Sequence, residues 1–393
     1  MATLSRLQTP PMPTLFTYGF RPFFLFGALY GGLAILVWSA MFGHGVMLPT
    51  HFGPIDFHIH SMLYGFLPAV IAGFLLTAVP NWTGRKPISG APLAALFALW
   101  LAGRGATIAS DLIGWQLAMA IDLGFLAALA LVIGREIVLA GNTRNLKVVA
   151  VLAALLVGNG LFHWEAATTG MATYGTRIGI IAGVFLVMLI GGRIIPAFTR
   201  NWLTRENSGR LPVMFNRFDL AAILVALAAL ALWSVMPQTM AGGVLLIVAA
   251  GLHLARLLRW AGDRTFREPL LAVLHVAYLF IPVGLLLLGL SVLDARISPS
   301  AGLHALTGGA FGVMPLAVMA RASLGHTGKA LTADRATVAV FAGIVAAVLL
   351  RIAAALMPEF AAFLQMVAAF FWAAAMLGFA VAYGRLLILP RAA

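Results

Sequence analysis

The chain has 393 residues, 62% of them hydrophobic and only 9% charged, with no cysteine and a formal charge of +13. A water-soluble domain is about half apolar and about a quarter charged, so this chain lacks the charge to cover a solvated surface and its outer face must meet lipid. The missing cysteines exclude disulfides, iron–sulfur clusters, thiolate-held haem and covalent c-type haem, leaving histidine, methionine and carboxylate for any metal.

About 20 apolar residues cross a bilayer, and hydropathy with polar breaks predicts twelve such runs. The N-terminal MATLSRLQTPPMPTLFTYGFRPFF has no signal-peptide core ahead of its prolines, so the first run, 23–42, is expected to remain as a span. The second, 58–80, opens on DFHIHSMLYGF; the third, 91–103, is short and is expected to extend past Gly103 or to pack inside protein. Runs at 113–133, 147–164 and 178–198 lead to the polar segment TRNWLTRENSGRLPVMFNR (199–217). Beyond it lie 218–236, 240–258, 270–291, 301–320, 336–356 and 361–384. Pro68, Pro196, Pro282 and Pro315 fall inside spans, where kinks are tolerated if neighbours satisfy the freed carbonyls. No linker or composition shift divides the chain, and no internal repeat is evident. The expectation is one all-α transmembrane domain over 1–393.

Basic residues set sidedness. With the N-terminus inside, 21 Lys and Arg, from Arg6 to Arg391, fall at inner ends and four, Arg104, Arg177, Arg296 and Arg351, at outer ends. The alternation holds at every loop, predicting an even span count with both termini cytoplasmic. The net charge is then topology, with no nucleic-acid partner.

Ionisable groups inside a membrane are costly, so each is a functional candidate. Six of the nine histidines fall in one outer layer: His44, His51, His58, His60, His163 and His304. His253, His275 and His326 lie towards the inner face. Residues two apart on a helix point about 200° apart, so His58 and His60 cannot grip one metal from a regular helix; they can serve two centres on opposite faces, one can ligate while the other supports, or both can simply sit in the wet headgroup layer. His58 shares a face with Met62, and His60 with Tyr64. Imidazole and thioether suit haem iron or copper. His163 reads equally as a ligand or as an interfacial residue beside Trp164 and Glu165, His304 precedes a small-residue face, and His275 reads as a buried, hydrogen-bonded side chain more readily than as a ligand. His326 sits in a polar stretch that suits capping as well as ligation. Gly308, Gly309 and Gly312 allow close approach by a helix or by a flat macrocycle. Arg193 is either a snorkelling cation or a buried anion holder, and Arg104 and Arg177 are candidate partners for haem propionates. The sequence has no P-loop, no nucleophile-elbow serine, no zinc-protease helix and no dinucleotide fingerprint.

The ordered blocks YGFRPFFLFG (18–27), HIHSMLYGF (58–66), GFLLTAVPNWTGRKPISG (73–90), LWLAGR (99–104), GGRIIPAFTRNWL (191–203), REPLLAVLHVAYLFIPVGLLLLG (267–289) and HALTGGAFGVMPLAVMARASLGHTG (304–328) resemble the NnrS family over nearly the whole chain. That resemblance implies a twelve-span protein of the bacterial inner membrane that carries non-covalent b-type haem and copper and acts in the nitric oxide response, with a membrane electron donor. It implies metal ligation by His58, His60 and His304, and extends to His163, His275 and His326. The family pattern places an acidic residue after the second histidine, where this chain has Ser61. PAVIAGFLLTAVPNWTG (68–84) also resembles the second helix of haem–copper oxidases and nitric oxide reductases, although no adjacent His–His pair is present.

Two functions follow as expectations. One is a haem/copper membrane protein that binds, senses or detoxifies nitric oxide, with reductase-like turnover left open. The alternative is a secondary transporter of a small ion or metal, suited to twelve spans and a basic central loop. Pigment separates them.

Overall fold

The computed structural model describes residues 12–206 and 209–390; Arg6 and Arg391 of the charge count lie outside them. Twelve helices are long and apolar enough to cross a membrane, in the order expected. They are α1 Phe20–His44, α2 Pro54–Thr83, α3 Ala91–Ile108, α4 Trp115–Leu139, α5 Leu146–Thr169 and α6 Tyr174–Glu206. Then follow α7 Arg217–Val235, α8 Met240–Leu258, α9 Pro269–Leu293, α10 Pro299–Thr327, α11 Arg335–Leu356 and α12 Ala361–Ile388. No strand occurs among the described residues. The short third run does extend, reaching Ile108.

Each helix packs mainly on its sequence neighbours, and α1 meets α12 to close the arrangement. The Arg21 guanidinium, at the start of α1, donates to the Leu387 carbonyl at 2.9 Å and to Leu386 and Leu389, satisfying the last carbonyls of α12. The three most buried spans are α2, α6 and α10. Helix α2 reaches α1, α4, α5, α6 and α10, so most of its side chains face protein.

Helices α2 and α10 are built alike. Each begins with a proline in its first turn, contains a π-helical stretch (61–66 and 305–313), and meets another proline two residues later, at Pro68 and Pro315. A proline lacks its N–H and crowds the carbonyl four residues back, here Tyr64 and Phe311. The wider π turns fall where that crowding occurs. Each helix ends on a left-handed glycine, Gly84 at φ 70° and Gly328 at φ 74°, a conformation that other residues adopt only with strain.

At one end of the bundle, α6–α9 are tied by a buried polar network. Arg256 Nε donates to Asp219 Oδ1 at 2.7 Å, and its Nη1 donates to the Met188 carbonyl at 2.9 Å and to Tyr278 Oη at 2.6 Å. His253 Nε2 lies 3.2 Å from the Ala222 carbonyl and must donate there, so its Nδ1 accepts from Tyr278 at 2.9 Å. His253 is thus fully hydrogen-bonded and serves the fold.

Candidate metal centres

Helix rise places the remaining groups by depth. Helix α9 ends near the start of α10, so His275, 18 residues before Leu293, lies about 27 Å from that end, and His326, 22 residues beyond His304, about 33 Å from it. His58 and His304 sit within about 8 Å of the starts of α2 and α10, and His163 within about 9 Å of the end of α5. His58, His60, His163 and His304 therefore share one end of the bundle; His275 and His326 stand at the other.

His58 and His60 point to opposite sides of α2 and enter different sites. His58 faces α1 and α10: its ring lies 4.6 Å from that of Trp38 and 6.4 Å from that of His304, with the two imidazoles only 12° from parallel. Both histidines line a cavity of about 370 Å³ between α1, α2, α6, α10, α11 and α12, within the range of small-molecule pockets. Its walls are apolar and aromatic, with Trp38, Phe42, Phe66, Phe311 and Trp372 prominent, and Met62 lies on the His58 side as the helical spacing requires. His304 Nδ1 donates to the Ser300 carbonyl at 2.8 Å, so the lone pair is on Nε2. His58 Nδ1 is buried without a hydrogen-bond partner.

The glycine face divides. Gly308 lines the cavity, whereas Gly309 sits against the Phe280 ring of α9 and Gly312 against the Trp372 indole of α12. Close helix packing accounts for Gly309 and Gly312, and access to the cavity for Gly308.

His60 faces the other way, towards α3, α4 and α5. Its Nε2 lies 3.1 Å from Asp122 Oδ2 and 3.0 Å from Asn159 Oδ1; both are acceptors, so the nitrogen donates. His163 Nε2 donates to the same Asp122 oxygen at 3.2 Å, and Asn159 Nδ2 donates to it at 2.8 Å. Arg104 pairs with Asp122 Oδ1. All five residues are buried. One ligand atom from each of His60, Asp122 and His163 lies within 4.8 Å of the others, a spacing that a cation could bridge. Two imidazoles and a carboxylate suit copper, iron or zinc.

His51, in the loop before α2, stands beside this cluster with its ring 5.6 Å from that of His163. Ser110 Oγ is 2.8 Å from its Nδ1, while His51 Nε2 and His163 Nδ1 are buried without partners. Burial pushes the His51 imidazole down to about 4, His163 adding to the shift and Asp111 opposing it.

Of the arginines, Arg104 is committed to Asp122 and lies off the cavity. Arg177 donates to the Ser234 carbonyl at 2.7 Å and sits over the rings of Tyr174 and Trp233, which makes it a tie between α6 and α7. Arg193 is half-buried on α6 with no hydrogen-bond or ion-pair partner among the described residues. His275 Nε2 and Thr199 Oγ1 hydrogen-bond at 2.9 Å, and His326 is exposed beside Tyr18 and Phe20. Arg193, His275 and His326 do not join the histidine sites because they stand at the opposite end of the bundle, and Arg177 does not because it turns to α7.

Three residues of these sites were not singled out by sequence. Asp122 and Asn159 stand in apolar runs, IDLGF and VGNGL, where a lone polar residue was the available signal. Arg351, read only as an outer charge, is the cation that lines the cavity. The carboxylate missing at Ser61 is supplied to His60 from α4 by Asp122.

A family model described as NnrS protein matches residues 14–391. No curated protein matches the chain.

Proposed function

We propose a function from the premise that this chain belongs to the NnrS family: it is a haem- and copper-binding protein of the bacterial inner membrane that acts on nitric oxide. The observation that carries the reading is the near-parallel pair His58 and His304, 6.4 Å apart in an apolar, aromatic cavity. Imidazole nitrogens about 2 Å from a shared metal leave ring centres roughly 6 Å apart, and flat aromatic walls suit a macrocycle. The residues fit haem.

His58 and His304 would hold the iron from two sides, with Met62, Phe311, Trp372 and the bare edge of Gly308 against the ring. Haem bound this way supplies a one-electron store. The second site, where His60, His163 and Asp122 would hold copper, would offer a place for nitric oxide. Arg104 and Asn159 fix Asp122 so that Oδ2 faces both imidazoles. Loading a cation there requires His60 and His163 to give up their Nε2 protons. Nitric oxide is small and uncharged, concentrates in lipid and reaches this depth without a polar channel. The charge bias supports a periplasmic position for this end of the bundle, and electrons would arrive from a membrane donor.

The test is the optical and metal content of the purified protein. The expected result is a Soret band with low-spin features, stoichiometric copper, and a spectral change on adding nitric oxide to the reduced protein. Colourless protein without copper would overturn the proposal and favour a transporter. A separate check uses Gly308→Leu, since a Cβ there meets only Val348 at ordinary contact distance. The leucine should lower haem affinity about tenfold or more by overfilling the cavity, at unchanged protein yield; unchanged haem content would count against this cavity.

A further inference from the structure

The cavity is apolar except for a few groups, and Arg351 is its one charged lining residue. It comes from α11, five residues before the helix ends at Leu356, and therefore sits about 8 Å in from that end, level with His58 and His304. Among the described residues it has no hydrogen bond, ion pair or ring contact, unlike Arg21, Arg104, Arg177 and Arg256 at the helix interfaces. It shares the cavity lining with both imidazoles. The other polar groups on the lining, Thr176, Ser300, Thr307 and Gln365, are uncharged.

A half-buried guanidinium at membrane depth without a counter-charge is expensive. An occupant that brings its own anion removes that cost, and a planar guanidinium pairs carboxylates with two parallel hydrogen bonds. We infer that Arg351 is the anion anchor of this cavity: it pairs with the carboxylates on the edge of the macrocycle, turning that edge towards α11 and α12. The assignment rests on the haem reading above and adds an orientation to it. Arg351 then does two things. It selects a ligand with an acidic edge over a wholly apolar one. By balancing that negative edge close to the metal, it also raises the potential at which the metal accepts an electron.

A simple interfacial arginine predicts otherwise. Snorkelling is served equally by lysine, whereas pairing with a planar carboxylate is not. The experiment compares Arg351→Gln, Arg351→Lys and the parent protein, each purified in detergent and in nanodiscs of neutral or anionic lipid. Haem affinity and midpoint potential are the readouts. Loss of a charge-assisted pair should weaken haem binding roughly tenfold or more, and the midpoint potential of retained haem should fall. Lysine should restore the potential in part without restoring full affinity. If Arg351→Gln does not accumulate, the lysine variant alone decides through its potential and affinity. Parent-like affinity and potential in the variant measured would overturn the inference while leaving the haem reading intact; parent protein without haem would overturn both. A dependence on anionic lipid that disappears in Arg351→Gln, with haem unaffected, would assign the arginine to a lipid phosphate and also overturn it.

Discussion

On the haem reading proposed above, His58→Ala and His304→Ala should each abolish the low-spin haem spectrum, and the double variant should purify without haem. The expectation follows from the geometry of a shared ligand. The two rings stand 6.4 Å apart and 12° from parallel, so under the proposed function both would hold one metal and neither would replace the other. Deleting one imidazole would remove one of the two residues proposed to hold the haem, which should shift the Soret band and allow carbon monoxide to bind. Deleting both leaves only apolar contact and the edge cation. His60→Ala and His163→Ala act on the other face of α2 and should leave the low-spin spectrum in place while lowering copper content by about tenfold or more, since even outer partners of a metal cost that much. Absorption spectroscopy with metal analysis on the four variants checks this. A parent-like spectrum in both His58→Ala and His304→Ala would remove the basis of the assignment.

Asp122→Ala should be the most destabilising single change at the histidine end of the bundle. Asp122 receives Arg104, Asn159, His60 and His163. Truncating it strands a guanidinium whose side chain is only 6% exposed, and removing one partner of a buried ion pair costs about 3–5 kcal/mol. Part of that loss should be recovered in Arg104→Met combined with Asp122→Leu, because a well-packed apolar pair avoids the stranded charge. Copper should not return in the double variant, since no carboxylate stands between the imidazoles. Thermal unfolding in detergent and metal analysis separate the two effects. An unfolding midpoint for Asp122→Ala equal to the parent's would mean that Arg104 finds another anion.

The division of labour between His58 and His60 is legible in the linear chain, because a two-residue step on a helix sends side chains to opposite sides wherever the helix is placed. Their partners are not. His58 meets His304 from 246 positions away in the chain, and His60 meets Asp122 and His163 from two further helices. The glycines of α10 read as one face, yet Gly308 serves the cavity and Gly309 and Gly312 serve packing, a distinction of one helical step that depends on where α9 and α12 lie. Arg104 and Arg351 carry the same charge at the same end of the bundle. Only the position of Asp122 commits the first to an ion pair and leaves the second facing the cavity.

Composition alone required a lipid-facing chain, since 9% charge cannot clothe a protein of this size in water. Hydropathy placed all twelve spans, because crossing a bilayer demands a contiguous apolar length that the linear chain must display. Helical periodicity and rise then set the depth of each histidine and the opposite headings of neighbours. What the chain order does not contain is azimuth: which way a given helix turns its faces, and which helices stand next to it in the plane of the membrane. In a bundle with lipid outside and apolar residues on every side, hydrophobicity does not distinguish one face of a helix from another. The pairing of α2 with α10, the carboxylate that α4 lends to α2, and the cation that α11 presents to the cavity were decided by tertiary packing.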